Sequence, residues 1–144
     1  MSNYQENFPS RLTAVTSSPF DDNQFSNDDA SSKLAVKAAE AASDRKAGDI
    51  VLLKVANVSY LADYFVVATG YSRVQVRAIA DAVEDKIEQE LQRSPLRIEG
   101  KVEGNWVLYD YGDVIVHVMM PKEREFYNLE AFWGHAERIE FTNE

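Results

Sequence analysis

The sequence predicts an α/β protein: a mixed β-sheet of about five strands with helices packed on it. Three observations carry that prediction. Short apolar runs that read as strands alternate with segments of helical period. A long amphipathic helix lies between strands, which calls for a crossover connection. A four-residue turn, Asp110-Tyr111-Gly112-Asp113, joins two later strands as a tight hairpin. Crossover and hairpin together imply a mixed sheet with helical cover. The chain has 144 residues, 45% of them hydrophobic, enough to bury a core without covalent staples. The main domain is expected over residues 32–134, after an acidic, disordered N-terminal tail (1–31) and before a short C-terminal tail (135–144).

The tail is expected because residues 1–31 are rich in Ser, Asn, Asp and Gln, hold Pro9 and Pro19, and show no hydrophobic period. Phe8, Phe20 and Phe25 leave room for a short partner-binding motif there. From Ser32 onward, Leu34, Ala38, Ala41 and Ala42 recur at helical spacing, and alanine is the best helix former, so a helix is expected over about 32–46. Asp28, Asp29, Ser31 and Ser32 would cap its start, and Gly48 would mark its exit.

Asp49 to Val55 is apolar on both faces, as in a strand covered on both sides. Tyr64 to Ala68 makes a second strand, closed by Gly70. Ser72 is a good N-cap for the longest helix, whose buried stripe is Val76, Ile79, Val83, Ile87 and Leu91. Pro95 stops it. Leu96 to Val102 alternates apolar and charged residues like a half-exposed strand, and Trp106 to Tyr109 and Val114 to Met119 follow. Pro121 suits the first turn of a last helix, with Phe126, Leu129 and Trp133 as its buried stripe and Gly134 as its close.

Composition excludes several classes of function. There is no cysteine, hence no disulfide, thiolate metal site or cysteine nucleophile. No apolar run approaches the roughly 20 residues of a membrane span, and the N-terminus lacks the basic and apolar stretches of a secretory signal. Fifteen Lys and Arg face 24 Asp and Glu, for a formal charge of −9. An acidic chain is repelled by bare phosphate backbones and steered toward basic proteins, so no direct sequence-specific nucleic-acid binding is expected.

The chemical motifs are sparse. His117 sits in a strand among apolar neighbours and reads first as a structural histidine, with a contact or proton-handling role as the alternative. His135 follows Gly134 and is expected to be exposed; the two histidines have no metal-ligand spacing. Asp63, Glu99, Asp110 and Asp113 stand at strand ends, where a site could form. Gly70-Tyr71-Ser72 faintly resembles a nucleotidyltransferase turn, yet no Asp-x-Asp strand follows it. There is no phosphate-binding glycine loop and no nucleophile elbow, so neither cofactor nor metal is expected. Trp106, Tyr109 and Tyr111 cluster beside the acidic hairpin, and Trp and Tyr are typical interface anchors.

Four stretches carry a family resemblance. Trp106 to Val118 (WVLYDYGDVIVHV) resembles the W-x-x-x-D-x-G-D-V-I-V-H-V signature of the ribosomal silencing factor family, also called Iojap-related proteins. Arg124 to Trp133 resembles that family's closing R-x-x-Y-x-L-E-x-x-W helix. Ala62-Asp63-Tyr64-Phe65 with Thr69-Gly70-Tyr71-Ser72, and then Glu99-Gly100, supply further pieces in order across about residues 33–134. The resemblance implies a compact mixed-sheet domain related to nucleotidyltransferases but lacking their active site. It also implies a non-catalytic translational repressor. Such a protein binds the large ribosomal subunit through the subunit-interface protein numbered fourteen and blocks joining of the small subunit when nutrients are scarce. Homodimers of the free protein are a further implication. Asp63, Trp106, Asp110 and Tyr111 are the candidate contact residues, and Arg124 and Glu130 could instead tie the last helix to the sheet. The setting implied is a bacterial-type cytoplasm or an organelle of bacterial descent. The alternatives are a small metal-dependent nucleotidyl- or phosphoryl-transfer enzyme using Asp63, Asp110 and Asp113, and an RNA chaperone, which the net charge disfavours.

Overall fold

A computed structural model describes residues 12–14, 30–56 and 62–142. Their elements run β1 (Leu12–Ala14), α1 (Ala30–Asp44), β2 (Gly48–Lys54), β3 (Tyr64–Thr69), α2 (Arg73–Leu91), β4 (Arg97–Glu99), β5 (Trp106–Asp110), β6 (Val114–Met119), α3 (Pro121–Tyr127), α4 (Leu129–Phe132) and β7 (Glu137–Phe141). The strands form one sheet in the order β1-β7-β2-β3-β6-β5-β4, six of them within residues 48–141. Only β3 and β6 are parallel; α2 lies on the crossover between them, and the remaining pairs are antiparallel. The predicted mixed sheet is therefore present, with more strands than the five expected.

Strand alternation divides the side chains between two faces. On one face Leu52, Tyr64, Val66, Ala68, Val107, Tyr109, Val116 and Val118 meet the apolar sides of α1 and α2 in the main core. Val76, Ile79, Val83 and Ile87 of α2 are fully buried there, as their spacing predicted. The two helices also cross-link. The Gln75 amide donates to the carbonyls of Arg45 and Lys46 at the end of α1, while its oxygen accepts the Tyr71 N–H. Lys37 reaches Glu90 at 2.8 Å across the helix pair. On the opposite face Val51, Leu53, Val55 and Phe65 form a smaller cluster, over which Trp133 packs.

Four expectations are corrected. The C-terminal segment is not a tail: β7 pairs with β2, placing Leu52 opposite Ile139, and buries Ile139 and Phe141 in the main core. The charged residues Glu137, Arg138 and Glu140 mask its strand period. The strand expected over 96–102 ends at Glu99, because Gly100 takes φ +84 and turns the chain toward Gly104, whose N–H donates to the Gly100 carbonyl. A Cβ at Gly100 would collide with the Trp106 carbonyl oxygen, so no other residue fits this turn. The last helix is two short helices, broken by Asn128 at φ +47, and Phe126 is 78% exposed instead of buried. Ser31 and Ser32 lie inside α1, not ahead of it, and are buried. Most of the expected tail, with Phe8, Phe20, Phe25, Asp28 and Asp29, falls outside the described residues. Within it, Leu12–Ala14 is an edge strand paired with β7.

Candidate functional site

The sheet face away from α1 and α2 carries a continuous run of rings. Phe126 meets Tyr127 at 4.9 Å between centroids, Tyr127 meets Trp106 at 4.8 Å, and Trp106 meets His117 at 5.9 Å. His117 continues to Phe65 at 5.3 Å, Phe65 to Trp133 at 5.4 Å, and Trp133 to Phe132 at 5.2 Å. The middle of the run, Phe65 and His117, is buried. Its two ends are open: Phe126 and Phe132 are 78% and 76% exposed. Asn105, Trp106, Lys122, Glu123, Phe126 and Tyr127 line a groove of 300 Å³ at one end. Clustered exposed aromatics of this kind mark interaction surfaces, because their burial by a partner is strongly favourable.

Sequence and fold together explain why these rings are exposed. β3, β5 and β6 deliver Phe65, Trp106 and His117 to one face through their register: Phe65 stands beside Ile115, and Leu108 opposite His117. The short helices α3 and α4 bury no residue of their own. They are held by polar contacts instead. The Arg124 guanidinium donates to both oxygens of Glu130 at 3.2 and 2.8 Å, and to Thr69 Oγ1 of β3 at 2.8 Å. Arg138 of β7 approaches the same carboxylate at 3.5 Å. Burial pushes the Glu130 carboxyl up, but the bonds and charge of Arg124 outweigh it and leave it below its ordinary value. The expectation that Arg124 and Glu130 tie the last helical segment to the sheet is met by this geometry.

The four candidate contact residues are not brought together. Trp106 is half-buried at the end of the sheet where it pairs with Met119. Asp110 pairs with Ile115, and Asp63 precedes Tyr64, which stands beside Val114. They sit at the other end, about 13 Å along the strands at 3.3–3.4 Å per residue. Asp110 is held by its own chain, accepting the Gly112 N–H at 2.8 Å and Arg97 at 3.2 Å. Tyr111 is a correction. It is 2% exposed inside the main core, edge-on to Tyr109, and burial pushes its phenol upward. Its parity with Val107 and Tyr109 along the strand carried that signal, and the hairpin turn disguised it. Phe126, Tyr127 and Phe132 were missed because helical spacing assigned that segment an inward stripe.

Two of the carboxylates near the hairpin are engaged within the chain. Asp113 is bridged to Arg93 at 2.8 and 3.1 Å, and Glu84 accepts the Tyr109 hydroxyl at 3.0 Å. Among the described residues, no three His, Cys, Asp or Glu side chains are grouped to hold a metal ion.

His117 is the buried titratable group of this face. Its Nδ1 accepts the Trp106 indole N–H at 3.2 Å, which places the proton of the neutral ring on Nε2. Desolvation lowers its pKa to about 4. The unfolded chain takes up a proton on this imidazole below pH 6.5, whereas the folded one resists until about pH 4. Stability is therefore full above pH 6.5 and falls as the pH drops, by about 2 kcal/mol at pH 5. Urea unfolding at about pH 7.5 and about pH 5 should show this loss in the wild type and a smaller one in His117→Phe. Equal losses would mean that His117 does not drive it.

Fold and site together define a small mixed-sheet α/β domain whose distinctive surface is aromatic and open. Residues 28–144 match the family model described as "Ribosomal silencing factor during starvation". The chain is 42% identical over 108 residues to the ribosomal silencing factor of Halalkalibacterium halodurans, covering 75% of this chain and 92% of that protein. It is also 42% identical over 120 residues to the chloroplastic protein Iojap of Arabidopsis thaliana, covering 82% of this chain and 49% of that one. A crystal structure of a Chromobacterium violaceum protein superposes with a TM-score of 0.70 at 40% identity, over 74% of this chain and 88% of that chain. The chain belongs to the ribosomal silencing factor family, whose role is translation regulation. Its relatives include the mouse "Mitochondrial assembly of ribosomal large subunit protein 1", 33% identical over 89 residues, 60% of this chain and 39% of that one. Among the described residues, no helix is long and apolar enough to cross a membrane.

Proposed function

We propose that this chain represses translation without catalysis, by occupying the face of the large ribosomal subunit that the small subunit must cover. Its contact there is the subunit-interface ribosomal protein numbered fourteen, and the block operates when nutrients are limiting, in a bacterial-type cytoplasm or an organelle of bacterial descent. The observation that carries this reading is the open aromatic run from Phe126 through Trp106 to Phe132. Those rings supply the apolar anchors of an interface. The charge of −9 steers the chain toward a basic protein and away from exposed RNA. Blocking needs occupancy only, so no bond is made or broken.

A second copy of the chain is the expected partner of the free protein. The outermost strand β4 is exposed along its length. Pairing it antiparallel with itself about Ile98 would set Arg97 against Glu99 of the second copy on both sides of the axis.

The test is light scattering of purified subunits mixed in magnesium, with sedimentation of the chain on each subunit. Slower joining with co-sedimentation on the large subunit alone is the expected result. Unimpeded joining with no co-sedimentation would overturn the reading.

A further inference from the structure

We propose that His117 is a positioning residue for Trp106, holding the indole in the orientation in which it docks. The inference rests on the aromatic face being the docking surface. Trp106 is half-buried, in tilted contact with the rings of both Tyr127 and His117. His117 is the diagonal cross-strand neighbour of Trp106, since it stands opposite Leu108 two residues along β5. The Phe65 ring, set at 68° to the imidazole, restrains it from β3.

The geometry fixes the direction of the bond. The indole nitrogen can only donate, so Nδ1 must be the unprotonated nitrogen. Nε2 then carries the hydrogen, buried and without a hydrogen-bond partner. Rotating the imidazole by half a turn would set its Cδ2–H against the indole N–H and leave that donor without an acceptor. One ring orientation and one tautomer remain. A buried imidazole with an unmade bond is costly in a strand whose neighbours are Val, Ile and Met. A branched apolar residue would fill the position without that cost. What the imidazole adds is an acceptor for the indole. It removes rotamer freedom from Trp106 before any partner arrives, and a side chain ordered in advance loses less entropy on binding.

The test measures binding to purified large subunits for Trp106→Ala, His117→Phe, His117→Leu and His117→Asn, with thermal unfolding as the control for folding. Phe and Leu remove the acceptor at two different volumes. Asn places an amide oxygen near the former Nδ1. Because the chain has two tryptophans, a Trp133→Phe background isolates the Trp106 fluorescence anisotropy decay and near-ultraviolet dichroism. The expected result is about tenfold weaker binding for the folded Phe or Leu variant, near the upper end of what ordering one side chain on binding costs. The Trp106 ring should become more mobile in those variants, and Asn should restore most of both properties. Added to Trp106→Ala, His117→Phe should cause no further loss. Weak binding by Trp106→Ala with unchanged binding or unchanged ring mobility in the folded His117 variants would overturn the positioning role alone. Wild-type binding by Trp106→Ala would overturn the docking surface itself.

Discussion

Trp106→Ala is expected to weaken binding to the large ribosomal subunit by about 30-fold or more while leaving a folded protein. The magnitude is that of an interface hot spot, about 2 kcal/mol or above. Trp106 meets the conditions for one. It meets Tyr127 at the open end of the aromatic run and lines the groove there with Phe126, Tyr127 and Lys122. Its nitrogen is satisfied internally by His117, so a partner need not supply an acceptor. Its removal spares the main core, which lies on the other sheet face. Trp106→Phe should fall between the two, keeping a ring but losing the indole edge and its hydrogen bond. Sedimentation on the large subunit and light scattering of subunit joining read both variants. Unchanged binding by Trp106→Ala would move the docking surface off this face.

Arg124→Met should lower stability by about 3 kcal/mol and bring down docking with it. Arg124 and Glu130 are 11% and 15% exposed at the side chain, so the variant strands a carboxylate out of water. Breaking one member of a buried pair typically costs about 3–5 kcal/mol. Arg138, at 3.5 Å from the same carboxylate, holds the expected loss at the lower end. The bond to Thr69 is lost as well, and with it the direct link of α3 to β3. Because no other residue of α3 or α4 is deeply buried, they should loosen, and Phe126, Tyr127 and Phe132 with them. The double variant Arg124→Met, Glu130→Gln should recover part of the stability, since the unpaired charge is gone, but little of the binding. Urea unfolding and co-sedimentation separate the two effects. A single variant as stable as the wild type would show that the pair anchors nothing.

The legibility of this chain varied with the kind of signal. Wherever one side of an element was buried and the other wet, as in α2 with its stripe of Val76, Ile79, Val83 and Ile87, the period was readable and held. The Asp-Tyr-Gly-Asp hairpin was readable from its turn chemistry, and β2 and β3 from short apolar runs covered on both faces. β7 was not. Its charged residues look like a solvated tail until the sheet supplies β2 on one side and β1 on the other. The last helical segment misled in the opposite direction. Its apolar residues suggested a buried stripe, but Asn128 breaks the helix and leaves Phe126 and Phe132 in the open.

The site divides along the same line. The residue types of an interface, Trp106 with acids around it, were visible in one dimension, as were the motifs that point to the family. That Trp106 and Asp63 stand at opposite ends of the sheet was not visible. Nor was it visible that Tyr111 is core and that His117 grips the indole. The sequence by itself determined most of the elements, the mixed sheet and the family, because periodicity, turn chemistry and motif order are local properties of the chain. Tertiary structure alone decided which rings meet and which face water. The hold of Arg124 on Thr69 joins residues 55 positions apart, and cross-strand register joins residues as distant in the chain as Leu52 and Ile139, and no local pattern encodes a contact over such distances.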